Sequence, residues 1–340
     1  MSRPGTGTVT LKDVAREADV SLQTVSRAIN GQAEISAETR DKVMAVCRKL
    51  GYRPNRLAGS LRAKYSKVIG LVVSDIENAY FAEVVSGAEA ETTARGWSLL
   101  LANSGEDLQR ERNAVVSLFE RRVDGLIIAP TEGDHGYLRK ELPRNFPLVA
   151  FNRAIELPGC GAVLTENEAG ARAAVEYLIS RGHRKIGAIV ASLGLMTSRE
   201  RVAGFRAAMQ AAGLPVREEW VGTGGVQAQS ARVAALGVLS QRDRPTALLT
   251  SSHRITEGVM HALRESDLRY GKDVEIVSFD NVPWATFLEP PLPVVAQPTQ
   301  QIGREAVQML MKMIDGTGKP SALRLPVQLL THRAEEIRPV

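Results

Sequence analysis

Cysteine is almost missing from this chain. Among 340 residues there are only Cys47 and Cys160, with no Cys-x-x-Cys pair. That excludes a disulfide framework, and reduced thiols of a cytoplasmic protein are expected instead. Cys47 is expected to pack inside a helix rather than react. No run approaches the 18 apolar residues of a membrane span, and the opening MSRPGTGTVT has no apolar signal-peptide core, so neither membrane insertion nor export is expected. Catalytic signatures are absent too: no phosphate loop, no GxSxG, no HExxH and no metal-ligand spacing. Gly222-Thr223-Gly224-Gly225 lacks the following Lys and reads as a loop. His253 and His261 would lie about 12 Å apart along a helix, too far to share a metal. Ser252 and His253 are sequence neighbours and point apart, so they make no dyad. Neither an enzyme nor a bound cofactor is expected, and no solenoid repeat is visible.

What is present is concentrated at the N-terminus. Residues 1–67 hold 13 Lys and Arg against 6 Asp and Glu, while the rest of the chain holds 30 against 32. A basic small domain on a near-neutral body is the electrostatic footprint of a duplex-binding module. The pattern agrees. Thr10 stands at an N-cap position with Asp13 three residues on, and Leu11, Val14, Ala15 and Ala18 recur at helical spacing. Ser21 caps a second helix that turns Val25, Ala28 and Ile29 inward and leaves Leu22, Gln23, Ser26 and Arg27 outside. Asn30-Gly31 closes it. Ser36 starts a third helix whose Val43, Val46 and Leu50 cover the other two. Residues 1–8 read as a disordered arm, 9–54 as a helix-turn-helix headpiece, and 55–66 as a basic linker.

From Lys67 onward, short continuous apolar runs alternate with helical patterns. The runs are 68–73, 97–102, 125–130, 147–151, 185–191, 246–250, 275–279 and 294–298. The helices are Tyr80–Arg95, Leu108–Arg121, Glu168–Arg181, Thr197–Ala212 and Thr299–Asp315. Strands without polar alternation are buried on both faces, so parallel, helix-covered sheets are expected. The number of units fits two doubly wound lobes better than a single (β/α)₈ barrel.

With these parts in view the chain resembles a lactose/galactose-repressor (LacI) family transcription factor over essentially its whole length. DVAREADVSLQTVSRAIN and GYRPNRLAGSLR carry the resemblance at the N-terminus. NAYFAEV (78–84), RRVDGLII (121–128), FNR (151–153), RERVAGF (199–205), SFDN (278–281) and QPTQQIGREA (297–306) follow in the family's order. The resemblance implies a periplasmic-binding-protein-like core, 67–340. Its N-lobe would take about 67–165 and 296–322, its C-lobe about 166–293 and 325–340, with a small-molecule effector between them. It implies a cytoplasmic, nucleoid-associated regulator, usually a repressor. With no heptad tail before Val340, a homodimer on a pseudo-palindromic operator is expected rather than a tetramer. A solute-binding protein without a DNA role is the alternative, but it would need an export signal and no basic headpiece.

By the same resemblance Leu22 and Gln23 read base edges in the major groove, with Arg27 assisting. Gln23 suits adenine, and Leu22 suits a thymine methyl. Ser21, Thr24 and Ser26 are expected on phosphates. Thr10, Asn30, Tyr52, Asn55, Ala58 and Arg62 complete the DNA-facing set, and Leu61 corresponds to the family's minor-groove wedge. In the cleft the resemblance implies Tyr80 and Phe81 as an aromatic wall, with Asn152, Arg153, Thr197, Arg201, Ser252, His253 and Asp280 as polar contacts. Ser251-Ser252-His253 replaces the family's common Asn/Gly-Asp. A sugar, sugar acid or sugar phosphate is expected as effector; with an acid lost beside Arg153 and Arg201, the cleft tilts towards the anionic ones.

Gly59 departs from the bulkier residue often found in the hinge helix. It costs roughly 1 kcal/mol per copy relative to alanine. The hinge is therefore expected to fold only on the operator. Amide exchange over 55–62 should be fast in the free protein and protected on DNA; protection in the free protein contradicts this.

Overall fold

A computed structural model describes residues 9–29, 35–52 and 65–331. The expectations for the arm 1–8, for Asn30, for Asn55, Ala58, Gly59, Leu61 and Arg62, and for the tail after Thr331 lie outside the described residues. The chain divides into two compact units, 1–66 and 67–340.

The first unit contains α1 (Leu11–Ala18), α2 (Leu22–Ile29) and α3 (Ala37–Leu50). The Thr10 N–H and hydroxyl both donate to Asp13 Oδ2, at 2.9 and 2.7 Å, and fasten the first turn. Asp19 ends α1 in the left-handed region at φ 51°. Ser21 Oγ then accepts the Thr24 N–H at 3.0 Å and starts α2. Val14, Ala18, Val25, Val43 and Cys47 are buried together and hold the three helices. Burial also pushes the Cys47 thiol up from its ordinary value, which suits a packed, unreactive side chain.

The second unit starts with β1 (Val68–Val73), α4 (Ala79–Ala94), β2 (Ser98–Asn103), α5 (Leu108–Glu120), β3 (Gly125–Ile128), α6 (Leu138–Glu141), β4 (Leu148–Phe151) and β5 (Cys160–Thr165). It continues through α7 (Asn167–Ser180), β6 (Ile186–Val190), α8 (Met196–Ala211), β7 (Val221–Thr223), α9 (Ala228–Leu239), β8 (Ala247–Thr250), α10 (His253–Glu265) and β9 (Glu275–Phe279). Last come β10 (Val294–Ala296), α11 (Thr299–Ile314), β11 (Ala322–Leu325) and β12 (Gln328–Leu330).

These strands make two six-stranded sheets, in the orders β11-β5-β4-β3-β1-β2 and β12-β10-β9-β8-β6-β7. All pairs are parallel except β10 with β12. The cause is visible in the runs themselves. VIGLVV, GLII, LVAF, IGAIV, ALLT and EIVSF are buried almost throughout, because helices cover both faces. The chain passes from one sheet to the other three times, at 165–167, 296–299 and 325–328.

Some details differ from the sequence expectation. β5, β7, β11 and β12 had no matching apolar run, being short or, like Ala322–Leu325, mixed in polarity. α9 and α10 had no marked pattern either. Gly222 and Thr223, read as loop, belong to β7. Ala296, placed in the return to the first lobe, ends β10 in the second sheet, and the return itself extends to Leu325. Ala212, expected on the apolar stripe, is the exposed cap of α8.

Glycine allows the covering helices to approach closely. A Cβ at Gly87 of α4 would fall 2.1 Å from the Gln300 carbonyl oxygen on α11, and one at Gly303 would fall 2.1 Å from the Val84 carbonyl oxygen. The contact is reciprocal and is backbone against backbone, so it cannot yield by rotating a side chain. A methyl at either position would overpack the seam at a cost of about 1–3 kcal/mol.

Candidate functional site

In both sheets the strand order reverses beside the first strand, between β1 and β3 and between β6 and β8. Ligands in open α/β sheets bind beyond the carboxyl ends of strands at such switch points. The two carboxyl edges meet at a small cavity of about 60 Å³. Tyr80 and Phe81 reach it from the start of α4, Asn152 and Arg153 from the end of β4, Thr197 and Arg201 from α8, Ser252 from the start of α10, and Asp280 from the end of β9.

His253 does not line this cavity. It stands behind Asp280, donating its backbone N–H to Asp280 Oδ2 at 3.2 Å with Nδ1 3.5 Å from the same oxygen. Asp280 Oδ1 accepts from Gln297 Nε2 at 2.7 Å, and Gln297 Oε1 accepts from the Thr165 hydroxyl at 2.8 Å. Burial pushes the Asp280 carboxyl up, but hydrogen bonds from His253 and Gln297 and the charge of Arg201 outweigh it and hold the group below the usual carboxylate range. Arg201 donates Nε to Asn167 Oδ1 at 2.9 Å and Nη1 to the Ser251 carbonyl. Its guanidinium lies 3.9 Å over the Phe279 ring, and burial lowers its pKa against the pull of Asp280. Arg153 is clamped by Glu106 through two hydrogen bonds of 2.8 Å and by the Pro130 carbonyl at 2.7 Å.

The aromatic wall is ordered edge to face: Tyr80 and Phe81 have centroids 5.1 Å apart, Phe81 and Phe151 6.0 Å. Burial, then the Asp280 carboxylate, raises the Tyr80 hydroxyl pKa, so it stays protonated. Tyr80 Oη and Arg153 Nε are buried without a hydrogen-bond partner. Ser252 Oγ caps α10 by accepting the Ile255 N–H at 3.3 Å.

Acidic side chains outnumber basic ones around the cavity. Asp75, Glu106 and Asp280 line the cavity against only Arg153 and Arg201. The carboxylate on Arg153 comes from the β2–α5 loop and has no sequence link to it. Asp75, Asn78, Glu106, Ser198, Ser251 and Gln297 are polar lining residues outside the expected set; Gln297 was visible in QPTQQIGREA but had no assigned role.

In the first unit, α2 leaves Ser21, Leu22 and Gln23 exposed at its N-terminal end, Leu22 at 44%. Ser26 and Arg27 are half-buried on the same helix. The Ser21 and Thr24 hydroxyls bond each other at 2.8 Å, and Tyr52 packs partly into the headpiece core. Thr10 is exposed, but both its N–H and its hydroxyl are already engaged by Asp13.

Comparison with known proteins agrees with this architecture. Residues 10–55 match the family model "Bacterial regulatory proteins, lacI family", and 66–333 match "Periplasmic binding proteins and sugar binding domain of LacI family". The HTH-type transcriptional repressor PurR of Escherichia coli O139:H28 is 34% identical over 96% of this chain and 96% of its own length. The operator-bound Lac repressor dimer with the anti-inducer ONPF superposes with a TM-score of 0.84 at 30% identity, covering 96% of this chain and 99% of that one. A putative ribose operon repressor from Burkholderia thailandensis is 64% identical, with a TM-score of 0.75, covering 78% of this chain and 99% of that one. The chain belongs to the LacI family of bacterial regulators. It is a DNA-binding transcriptional repressor, not an enzyme, controlled by a small-molecule effector bound in its periplasmic-binding-protein-like domain. No helix among the described residues is long and apolar enough to cross a membrane.

Because the folded state lowers the Asp280 pKa, the charged carboxylate stabilises the fold above its ordinary value. That contribution drains away as pH falls through the lowered one. Thermal melts of wild type and Asp280→Asn should therefore differ most near neutrality and converge below the usual carboxylate range. A gap that stays constant into acid contradicts the assignment.

Proposed function

We propose that the cleft binds a neutral pentose of the ribose type, and that the protein acts as a cytoplasmic, nucleoid-associated homodimer on a pseudo-palindromic operator. The observation that carries the sugar reading is the makeup of the cleft: acceptors on Asp280, donors on Arg201 and Arg153, an unpartnered Tyr80 hydroxyl and an aromatic wall. Vicinal hydroxyls, each both donor and acceptor, suit such a mixture; a net anion would face an excess of carboxylates. The name of the 64%-identical relative supports ribose in particular.

On the DNA side the proposed division is headpiece 9–54, hinge 55–66 and core 67–340. Leu22 and Gln23 read bases, Arg27 assists, and Ser21, Thr24 and Ser26 position the helix on phosphates. Thr10, Asn30, Tyr52, Asn55, Ala58, Leu61 and Arg62 are the further proposed DNA contacts. The effector contacts are Tyr80, Phe81, Asn152, Arg153, Thr197, Arg201, Ser252 and Asp280, with His253 orienting Asp280. The dimer reading is supported by the Lac repressor dimer match.

The test pairs calorimetry with D-ribose and selection of genomic fragments at near-physiological salt, with and without the sugar. Saturable ribose binding, one site per chain, and enrichment of a palindrome that responds to ribose are expected. An enriched palindrome without any pentose binding overturns the sugar reading. Salt-sensitive DNA binding with no enriched sequence in either condition overturns the reading of Leu22 and Gln23.

A further inference from the structure

A second cavity adjoins the cleft. At about 530 Å³ it is far roomier than the inner one, and it too is shared by the lobes, lined by 130–136, Arg139 and 153–157 of the first and by Gly194–Met196 and Arg199 of the second. Two residues line both cavities, Arg153 and Leu195.

The wall they form is fixed from each side. Arg153 is held by its two bonds to Glu106 and one to the Pro130 carbonyl, and is 7% exposed. Leu195, 3% exposed, ends a tight turn: its N–H donates to the Ser192 carbonyl at 3.1 Å, and its own carbonyl accepts the Arg199 N–H at 3.1 Å. Across the lobes, Glu132 lies against Gly194, where a Cβ would fall 1.7 Å from Glu132 Oε1. The overlap is with the tip of an exposed, flexible side chain, so Glu132 can swing aside, and the wall rests on Arg153 and Leu195.

The outer chamber is equally well built. Glu111, fully buried, accepts the Thr131 N–H at 2.6 Å and the Tyr137 hydroxyl at 2.7 Å, with His135 Nε2 3.1 Å away. Those bonds pin the segment that faces the chamber. A ring seated in the inner cavity could reach this space only with a substituent that passes between an immobilised guanidinium and an aliphatic side chain.

We infer that Arg153 and Leu195 form a specificity-determining partition, which confines the effector to an unsubstituted monosaccharide and rejects the same ring carrying a bulky glycosidic group. This inference rests on the pentose reading above. Glu106 acts as a positioning residue by holding Arg153 in the wall.

D-ribose and uridine, the same sugar bearing a base on its anomeric carbon, distinguish the cases by calorimetry on the full-length protein. Wild type should bind ribose and discriminate against uridine. Leu195→Ala should shift the uridine-to-ribose affinity ratio toward uridine by at least about tenfold, the scale on which small changes in apolar pocket bulk discriminate ligands. Glu106→Gln, which loosens the clamp while keeping the side-chain shape, should move the ratio the same way. A merely structural role would weaken both ligands together and leave the ratio unchanged, and that result overturns the inference. So does wild type binding uridine as tightly as ribose. Failure of wild type to bind ribose at all instead removes the pentose reading, and the inference falls with it.

Discussion

Asp280 stands where the requirements of this molecule converge. Its carboxylate is buried at the end of β9, and a buried charge persists only if it is matched by donors. It finds them on three sides: the His253 N–H at the start of α10, the Gln297 amide at one crossover between the lobes, and the positive field of Arg201. Gln297 in turn takes the hydroxyl of Thr165, which stands at another crossover. This cavity-lining carboxylate is thus bonded directly to one place where the chain changes lobe and, through Gln297, to a second. On the proposed reading, an effector in this cavity competes for, or adds to, bonds that also fix the lobes' connection.

The fold exists to bring such groups together. Parallel strands place all their carboxyl ends on one edge, and two sheets built alike place two such edges opposite each other. Short loops after β1, β4, β6, β8 and β9 then deliver side chains to one volume. The glycine seam between α4 and α11 lets the segment after Gln297 return to the first lobe at backbone-contact distance. Gln297 itself follows β10, whose pairing with β9 and whose Val295 carbonyl, taken by the Asp280 N–H at 3.1 Å, set it beside Asp280.

Much of this was legible in the sequence for definite reasons. Continuous apolar runs report strands buried on both faces, so the parallel sheets and two lobes followed from VIGLVV, KIGAIVA and EIVSF. The headpiece followed from helical spacing and from Thr10, Asp13 and Ser21, whose capping chemistry is local. The cleft residues followed from family motifs at strand ends. What escaped was what depends on partners distant in sequence. Arg153 looked like a free cation until Glu106 was found on it. His253, expected as a ligand contact, is absent from the cavity lining and donates its backbone N–H to Asp280. The edge strands β7, β11 and β12 are three or four residues long and acquire their pairing from neighbours rather than from any pattern of their own.

The central claim is that operator affinity is set by a ligand acting through Asp280. The direct measurement is operator binding at fixed salt, with and without saturating ribose, for wild type and Asp280→Asn. The account predicts that ribose changes the wild-type dissociation constant by about fivefold or more, within the usual range of allosteric coupling. It predicts that the variant binds the operator but does not respond. A ribose response of equal size in Asp280→Asn would contradict it.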